Sequence, residues 1–233
     1  MSHAYRHADV LVLECPFTET VVADAGRYHV SVLWPWLALD PQAEGISWNG
    51  HMALPTPAAQ EREIFRTEPS VTTLRAGDTC RVGIPATVVH VQSVKHFDPP
   101  LVTGMLPRPA TYLDVLPQGE THDPELEDQG FAIDPDQGGP IRITLLYRPY
   151  AFLEPGDEVA DRSGRAWRFD AAWTLHAFDG EAPGTPNWPL TLLSRQGEPT
   201  PEEAASVARA TASGSHANAW EQWAGLSGSR PRR

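Results

Sequence analysis

Proline and glycine set the first limit on what this chain can fold into. Twenty-three prolines and 18 glycines are spread along 233 residues instead of being gathered in one linker. Proline removes a backbone donor and glycine frees the chain to turn, so together they cut the sequence into short segments. Long helices have little room before residue 200. Between the breaks, β-branched and aromatic residues recur with strand-like spacing.

In the first half, Val10 to Glu14 reads as a strand. Glu19 to Ala23 and Arg27 to Trp34 flank Asp24-Ala25-Gly26 and read as a hairpin, with Asp24 and Gly26 supplying the turn chemistry. Thr79 to Val82 and Ala86 to Lys95 read as a second pair around Gly83-Ile84-Pro85. Thr111 to Leu116 follows a Pro-rich connector, Asp98 to Pro109. In the second half, Ile141 to Arg148, Glu158 to Asp161, Ala166 to Phe169, Trp173 to Phe178 and Pro189 to Arg195 give five strands in about 55 residues. Arg162-Ser163-Gly164-Arg165 is a convincing hairpin loop. The predicted core of this part is Val159, Trp167, Phe169, Leu190 and Leu192.

Short strands at this density predict a mainly β protein: one small antiparallel barrel or sandwich, or two, with a short C-terminal helical segment. The division is 1–116, a β-rich N-terminal region; 117–140, an acidic loop; 141–197, a small β-barrel portion; and 198–233, a helical tail. Leu74-Arg75-Ala76-Gly77-Asp78 echoes Leu153-Glu154-Pro155-Gly156-Asp157. The echo is either a common turn into a strand or the trace of two related barrels. Thr200-Pro201-Glu202-Glu203 is a helix start. Thr200 is placed to cap the N–H of Glu203, and Glu203 to return the bond. That helix should run to about Ser213, and a second should cover His216 to Gly225. The end, Ser227 to Arg233, reads as a basic tail.

Thirty acidic residues against 18 basic ones leave a formal charge of -12. That argues against a free-standing DNA or RNA binder, which carries a basic footprint, and against docking on an anionic membrane. The two cysteines, Cys15 and Cys80, exclude a disulfide-dense scaffold and a multi-Cys zinc module. The N-terminal sequence lacks a signal-peptide layout, and Tyr28 to Leu39, the longest strongly apolar stretch, is too short to span a bilayer. A cytoplasmic protein is the simple expectation.

Candidate chemistry is thin. Asp123, Glu125, Glu127, Asp128, Asp134 and Asp136 offer oxygen ligands, but the calcium-loop spacing is missing, and a solvated loop is the expectation. The histidines, His3, His7, His29, His51, His90, His96, His122, His176 and His216, form no metal motif. Cys15 reads as a buried thiol. No serine-hydrolase elbow, P-loop or dinucleotide fingerprint occurs. The expectation is therefore no enzyme, no catalytic residue, no metal and no cofactor. Most of the tryptophans before residue 200 read as core. Trp220, Trp223 and Leu226 are instead the interface candidates, because a short Trp-bearing helix beyond the β region has few intrachain surfaces to cover.

Residues 141–195 carry one resemblance. The run LEPGDEVADRSGRAWRF, a short aromatic segment and then GTPNWPLTLLSR resemble the small β-barrel head–tail connector (stopper-type) proteins of tailed bacteriophages infecting actinobacteria. The matching residues are Pro155, Gly156, Asp157, Asp161, Gly164, Arg165, Trp167, Trp188 and Pro189. The resemblance implies a non-enzymatic virion protein at the neck. It would form a ring with copies of itself, contact neighbouring particle proteins, and let double-stranded DNA pass without sequence-specific binding. An acidic lumen repels the phosphate backbone and suits sliding. The location implied is the virion, assembled in host cytoplasm, with no membrane partner. Two other readings remain open at this point: an actinobacterial β-rich module binding sugar or protein, and a metal-dependent enzyme built on the acidic loop and scattered histidines.

Overall fold

The structure is a computed structural model, and it describes residues 5–46, 50–56, 63–123, 125–126, 129–136, 140–180, 184–212 and 214–229. His3, Trp48, Pro124, Glu127, Asp128, Ser213 and the tail from Arg230 lie outside the described residues. The chain divides into two compact units: Leu11–Leu146, and a discontinuous one formed by Met1–Val10 with Tyr147–Arg233. We call them the inserted unit and the discontinuous unit.

The inserted unit is almost wholly β. Its strands are β1 (Val10–Ala25), β2 (His29–Leu33), β3 (Ala38–Leu39), β4 (His51–Pro55), β5 (Arg66–Glu68), β6 (Thr79–His96), β7 (Met105–Leu106), β8 (Thr111–Pro117), β9 (Phe131–Ile133) and β10 (Arg142–Tyr147). One sheet runs β4-β2-β1-β6-β8-β9, with β10 added on β1 and β5 on β6, while β3 and β7 form a small ribbon. The predicted hairpin around Asp24-Ala25-Gly26 is present, with Val22 opposite Val32 and Ala25 opposite Val30.

Two readings of this unit need correction. Gly83-Ile84-Pro85 is no turn: β6 is one strand of 18 residues. Its first part pairs with β5, Arg66 opposite Gly83, and its second with β8, Val91 opposite Val115. The missing side chain at Gly83 serves close approach, not reversal. A Cβ there would lie 2.8 Å from the Cys15 carbonyl oxygen and 2.9 Å from Phe17 Cα. The acidic stretch 117–140 is also no plain loop. Phe131–Ile133 forms β9 and pairs with β8, and Asp134 is buried.

The discontinuous unit holds β11 (Glu158–Ala160), β12 (Ala166–Ala171), β13 (Thr174–Ala177), β14 (Thr191–Ser194), α1 (Pro201–Thr211) and α2 (Ser215–Ser227). Its sheet has the order β13-β12-β11-β14. Four of the five strands read between residues 141 and 195 therefore form one antiparallel sheet. The fifth, β10, pairs with β1 instead. The predicted core residues Val159, Trp167, Phe169, Leu190 and Leu192 are all at most 5% exposed. Helix α1 docks through Thr211, which is fully buried. Its hydroxyl donates to the Leu190 carbonyl oxygen at 3.1 Å and accepts the Leu190 N–H at 3.0 Å. The capping box does not form, since Thr200 makes no side-chain cap bond. Glu203 is drawn instead to Arg195, at 3.2 Å. Among the described residues no helix is long and apolar enough to cross a membrane.

Candidate functional site

The L-x-x-G-D echo folds into the same turn twice. Asp78 accepts the Arg75 N–H at 2.8 Å, and Asp157 accepts the Glu154 N–H at 2.9 Å. Gly77 and Gly156 take φ of +88° and +94°, a conformation a side chain resists. A third copy leads into β1: Asp9 accepts the Arg6 N–H at 2.9 Å, with Ala8 at φ +66° in the glycine's place. In the discontinuous unit the turn aspartates also hold arginines through paired bonds. Arg148 donates to both carboxylate oxygens of Asp9 at 2.8 and 2.7 Å, and Arg195 to both of Asp157 at 2.9 and 2.7 Å. Hydrogen bonding to Asp157, opposed by burial, raises the Arg195 pKa above its ordinary value.

The other residues that carry the resemblance lie on or beside the sheet β13-β12-β11-β14, Trp167 within β12 and the rest in its turns and connectors. Asp161 closes the β11–β12 hairpin and accepts the N–H groups of Ser163 and Arg165. It also accepts the Trp167 indole and the N–H of Asn187, just before Trp188-Pro189. Burial alone would raise its pKa. The bonds from Ser163, Asn187, Arg165 and Trp167 outweigh that and hold it at about 2. Arg165 lies over the Trp167 ring, 4.5 Å from its centroid. Motif residues spread over more than thirty positions thus brace one hairpin and the segment leading into β14.

The interface candidates have an intrachain surface of their own. Trp223 is buried, and its indole N–H donates to the Ala8 carbonyl oxygen at 2.9 Å. Trp220 stacks on Trp223 at 5.5 Å between centroids, and both meet Trp173, at 4.1 and 5.7 Å. Leu226 is half-buried. Tyr150, 2% exposed, forms a three-ring cluster with Trp188 and His216, every pair of centroids lying 5.6 to 5.8 Å apart, and its hydroxyl bonds the His216 ring. Burial pushes the Tyr150 pKa up and the His216 pKa down. Few surfaces within the chain were expected for the indoles, and α2 covers Trp223 on the discontinuous unit's own aromatic cluster.

The inserted unit carries a feature that sequence reading missed. A cleft of about 250 Å³ opens at the end of β2 and β4, beside β8 and β9. Its apolar wall includes Trp34, Phe65, Met105, Tyr112 and Phe131, and Asp134 adds a carboxylate. Trp34 is braced edge-on by Trp36 at 4.7 Å and Phe65 at 5.3 Å. Asp134 is 7% exposed, and its Oδ1 accepts the Asp136 N–H at 2.8 Å. Tyr112 has a raised pKa, from burial first and then from the Asp134 charge, so that carboxylate is felt along the wall. The lining runs from Trp34 to Ile141 along the chain, and Trp34-Pro35-Trp36 was its only local trace.

The remaining candidates are placed apart. His90 is buried and bonds Gln92 and the Glu120 carbonyl oxygen. His96 reaches Thr111, and His176 reaches Asp170. Asp123 accepts the Glu125 N–H within its own turn. Cys15 and Cys80 are both buried, and burial pushes the Cys15 thiol up to about 11. Among the described residues no three His, Cys, Asp or Glu side chains come together as a metal-binding group. No family model matches the chain, and neither the curated proteins nor the solved structures give a match.

Proposed function

We propose that this protein is a structural component of a tailed-phage or phage-like particle, placed at the head–tail junction, where copies of it ring the DNA channel. One observation carries the reading. Pro155-Gly156-Asp157, the Asp161 to Trp167 hairpin and Trp188-Pro189 are the segments that resemble stopper-type connectors, and they form the turns and connectors around the single sheet β13-β12-β11-β14. Their side chains form turns, ion pairs and core there, which is the role such residues have in a scaffold. The formal charge of -12 supports the same reading, because an acidic ring repels the phosphate backbone and leaves DNA free to slide.

The test is localisation in particles. An antiserum raised against the purified protein, applied with gold label to tailed particles released by the strain that carries the gene, should mark the neck. Intact tailed particles encoded beside this gene but lacking the protein would overturn the reading.

A further inference from the structure

From the inserted unit alone, we infer that the β1–β2 hairpin tip of one copy docks in the cleft of a second copy. This names the partner in the proposed ring and rests on that reading for its purpose. The tip is the triplet Gly26-Arg27-Tyr28. Tyr28 is 73% exposed, more than any other large apolar side chain among the described residues. The Arg27 guanidinium lies over its ring, 5.3 Å from the centroid. The backbone beneath them is fixed. Gly26 N–H donates to the His29 carbonyl oxygen at 2.9 Å, and Thr56 holds the carbonyls of Arg27 and Tyr28 at 2.8 and 3.0 Å. The tip is thus a pre-ordered knob, so little ordering entropy opposes docking.

The cleft matches it in chemistry and size. Its wall is mostly aromatic and apolar, with the Asp134 carboxylate, His51 and Thr103 as its polar members, and the knob is an aromatic ring with one cation. Tyrosine and arginine are also the residue types that dominate binding energy at protein interfaces. At about 250 Å³ the cleft falls below the usual range of small-molecule sites, about 300–1,000 Å³, and suits one or two inserted side chains. Asp134 already accepts the Asp136 N–H, and a carboxylate has several lone pairs, so the guanidinium can share it while its plane stays on an aromatic face.

Register shows why the knob belongs to another copy. In the β2–β4 pair, His29 is opposite Pro55 and Leu33 is opposite His51. The tip adjoins the His29 end. The cleft adjoins the Leu33 end, where Trp34 N–H bonds the Gly50 carbonyl oxygen at 2.7 Å. Six strand steps of about 3.3 Å separate Tyr28 from Trp34 by about 20 Å, so the tip cannot reach its own cleft. Knob and hole on opposite ends of one unit make a heterologous contact, the kind that closes into rings or runs on as filaments.

Mixing variants tests this directly. Tyr28→Ala removes the knob, and Ala132→Trp fills the cleft from β9. The wild-type protein should self-associate as its concentration rises, each variant alone should stay monomeric, and the mixture should stop at dimers, since one knob and one hole remain. Light scattering reads all four samples, with melting temperature as the folding control. If Ala132→Trp fails to fold, a Gly26→Cys and Ala132→Cys mixture replaces it, because Gly26 lies in the tip, an added side chain there meets only ordinary contacts, and Tyr28 stays in place. Oxidation should then give a disulfide-linked heterodimer that neither variant gives alone, because Cys15 and Cys80 are buried. Wild-type protein that stays monomeric at millimolar concentration leaves the cleft to some other occupant and overturns the inference. So does a Tyr28→Ala protein that associates like wild type. Knob-dependent association in a protein absent from particles would leave this contact standing and remove only its phage setting.

Discussion

Arg195 holds Asp157 through two parallel hydrogen bonds while the same carboxylate caps the turn that leads into β11. Asp157 is 1% exposed, so its charge has no water to fall back on. One pair thereby ties β14 to the start of β11. Arg195→Ala should cost about 3–5 kcal/mol, because it strands a buried carboxylate. Urea denaturation of the two proteins side by side checks this. A loss within half of a kilocalorie per mole, about the size of an exposed surface change, would show that water reaches the carboxylate.

Trp223 should be a stability residue of the discontinuous unit. Trp223→Ala removes a buried indole, its stack on Trp220 and the bond to the Ala8 carbonyl oxygen. The expected loss is about 3–5 kcal/mol. Trp223→Phe should lose less, since it keeps most of the apolar area. Thermal unfolding of both variants gives the ordering, and equal losses would mean that the Ala8 bond outweighs the packing.

Asp161 should shape the acid limb of the stability curve. Its folded pKa, about 2, lies below the ordinary aspartate value of about 4. A depressed carboxylate contributes stability that is fully present above the unfolded pKa. That contribution is lost as pH falls from about 4 towards about 2. Asp161→Asn should flatten this part of the curve and leave the slope near neutrality unchanged. Urea midpoints measured across that range decide the matter, and an unchanged acid slope would assign it to other carboxylates.

Gly83→Ala should destabilise the inserted unit by about 1–3 kcal/mol, the usual cost of forcing atoms into a packed core. The added methyl would press on the backbone of β1 at Cys15 and Phe17, which cannot yield without moving the strand. A matched change at Gly77, where nothing lies within 4 Å, tests the other glycine requirement, its φ of +88°. If Gly83→Ala melts at the wild-type temperature, β1 and β6 are less closely packed than described.

Local chemistry was legible in the sequence and long-range pairing was not. The β11–β12 hairpin and the β1–β2 hairpin announced themselves because a turn signal sits between two short apolar runs. The L-x-x-G-D turn was found twice because Gly77 and Gly156 mark it. Its third copy stayed hidden because Ala8 holds the left-handed conformation that glycine normally signals. Pro85 misled the reading of β6, since a proline after glycine usually ends a strand, and here it sits where the strand changes partners. Beyond Trp34-Pro35-Trp36 the cleft had no local signature: Trp34, Tyr112 and Asp134 meet only through the order of strands in the sheet. The indoles of α2 were recognised as needing a cover, but its source, the Ala8 carbonyl and Trp173, is 215 and 50 positions away from Trp223.

The discontinuous unit has a consequence for synthesis. A ribosome that has just made Asp9 must finish the whole of Leu11–Leu146 before Arg148, its ion-pair partner, exists. The inserted unit can therefore collapse while the short segment ahead of it, which carries Asp9, still waits for its neighbours. Domains generally fold as units in the order they emerge, and here that order leaves an early segment to be captured last. Asp9 is fully buried once captured, so until then a charged group and its apolar neighbours Ala8 and Val10 stand open to wrong pairings. The late arrival of Arg148 and Trp223 makes the completed unit a record that translation has passed α2.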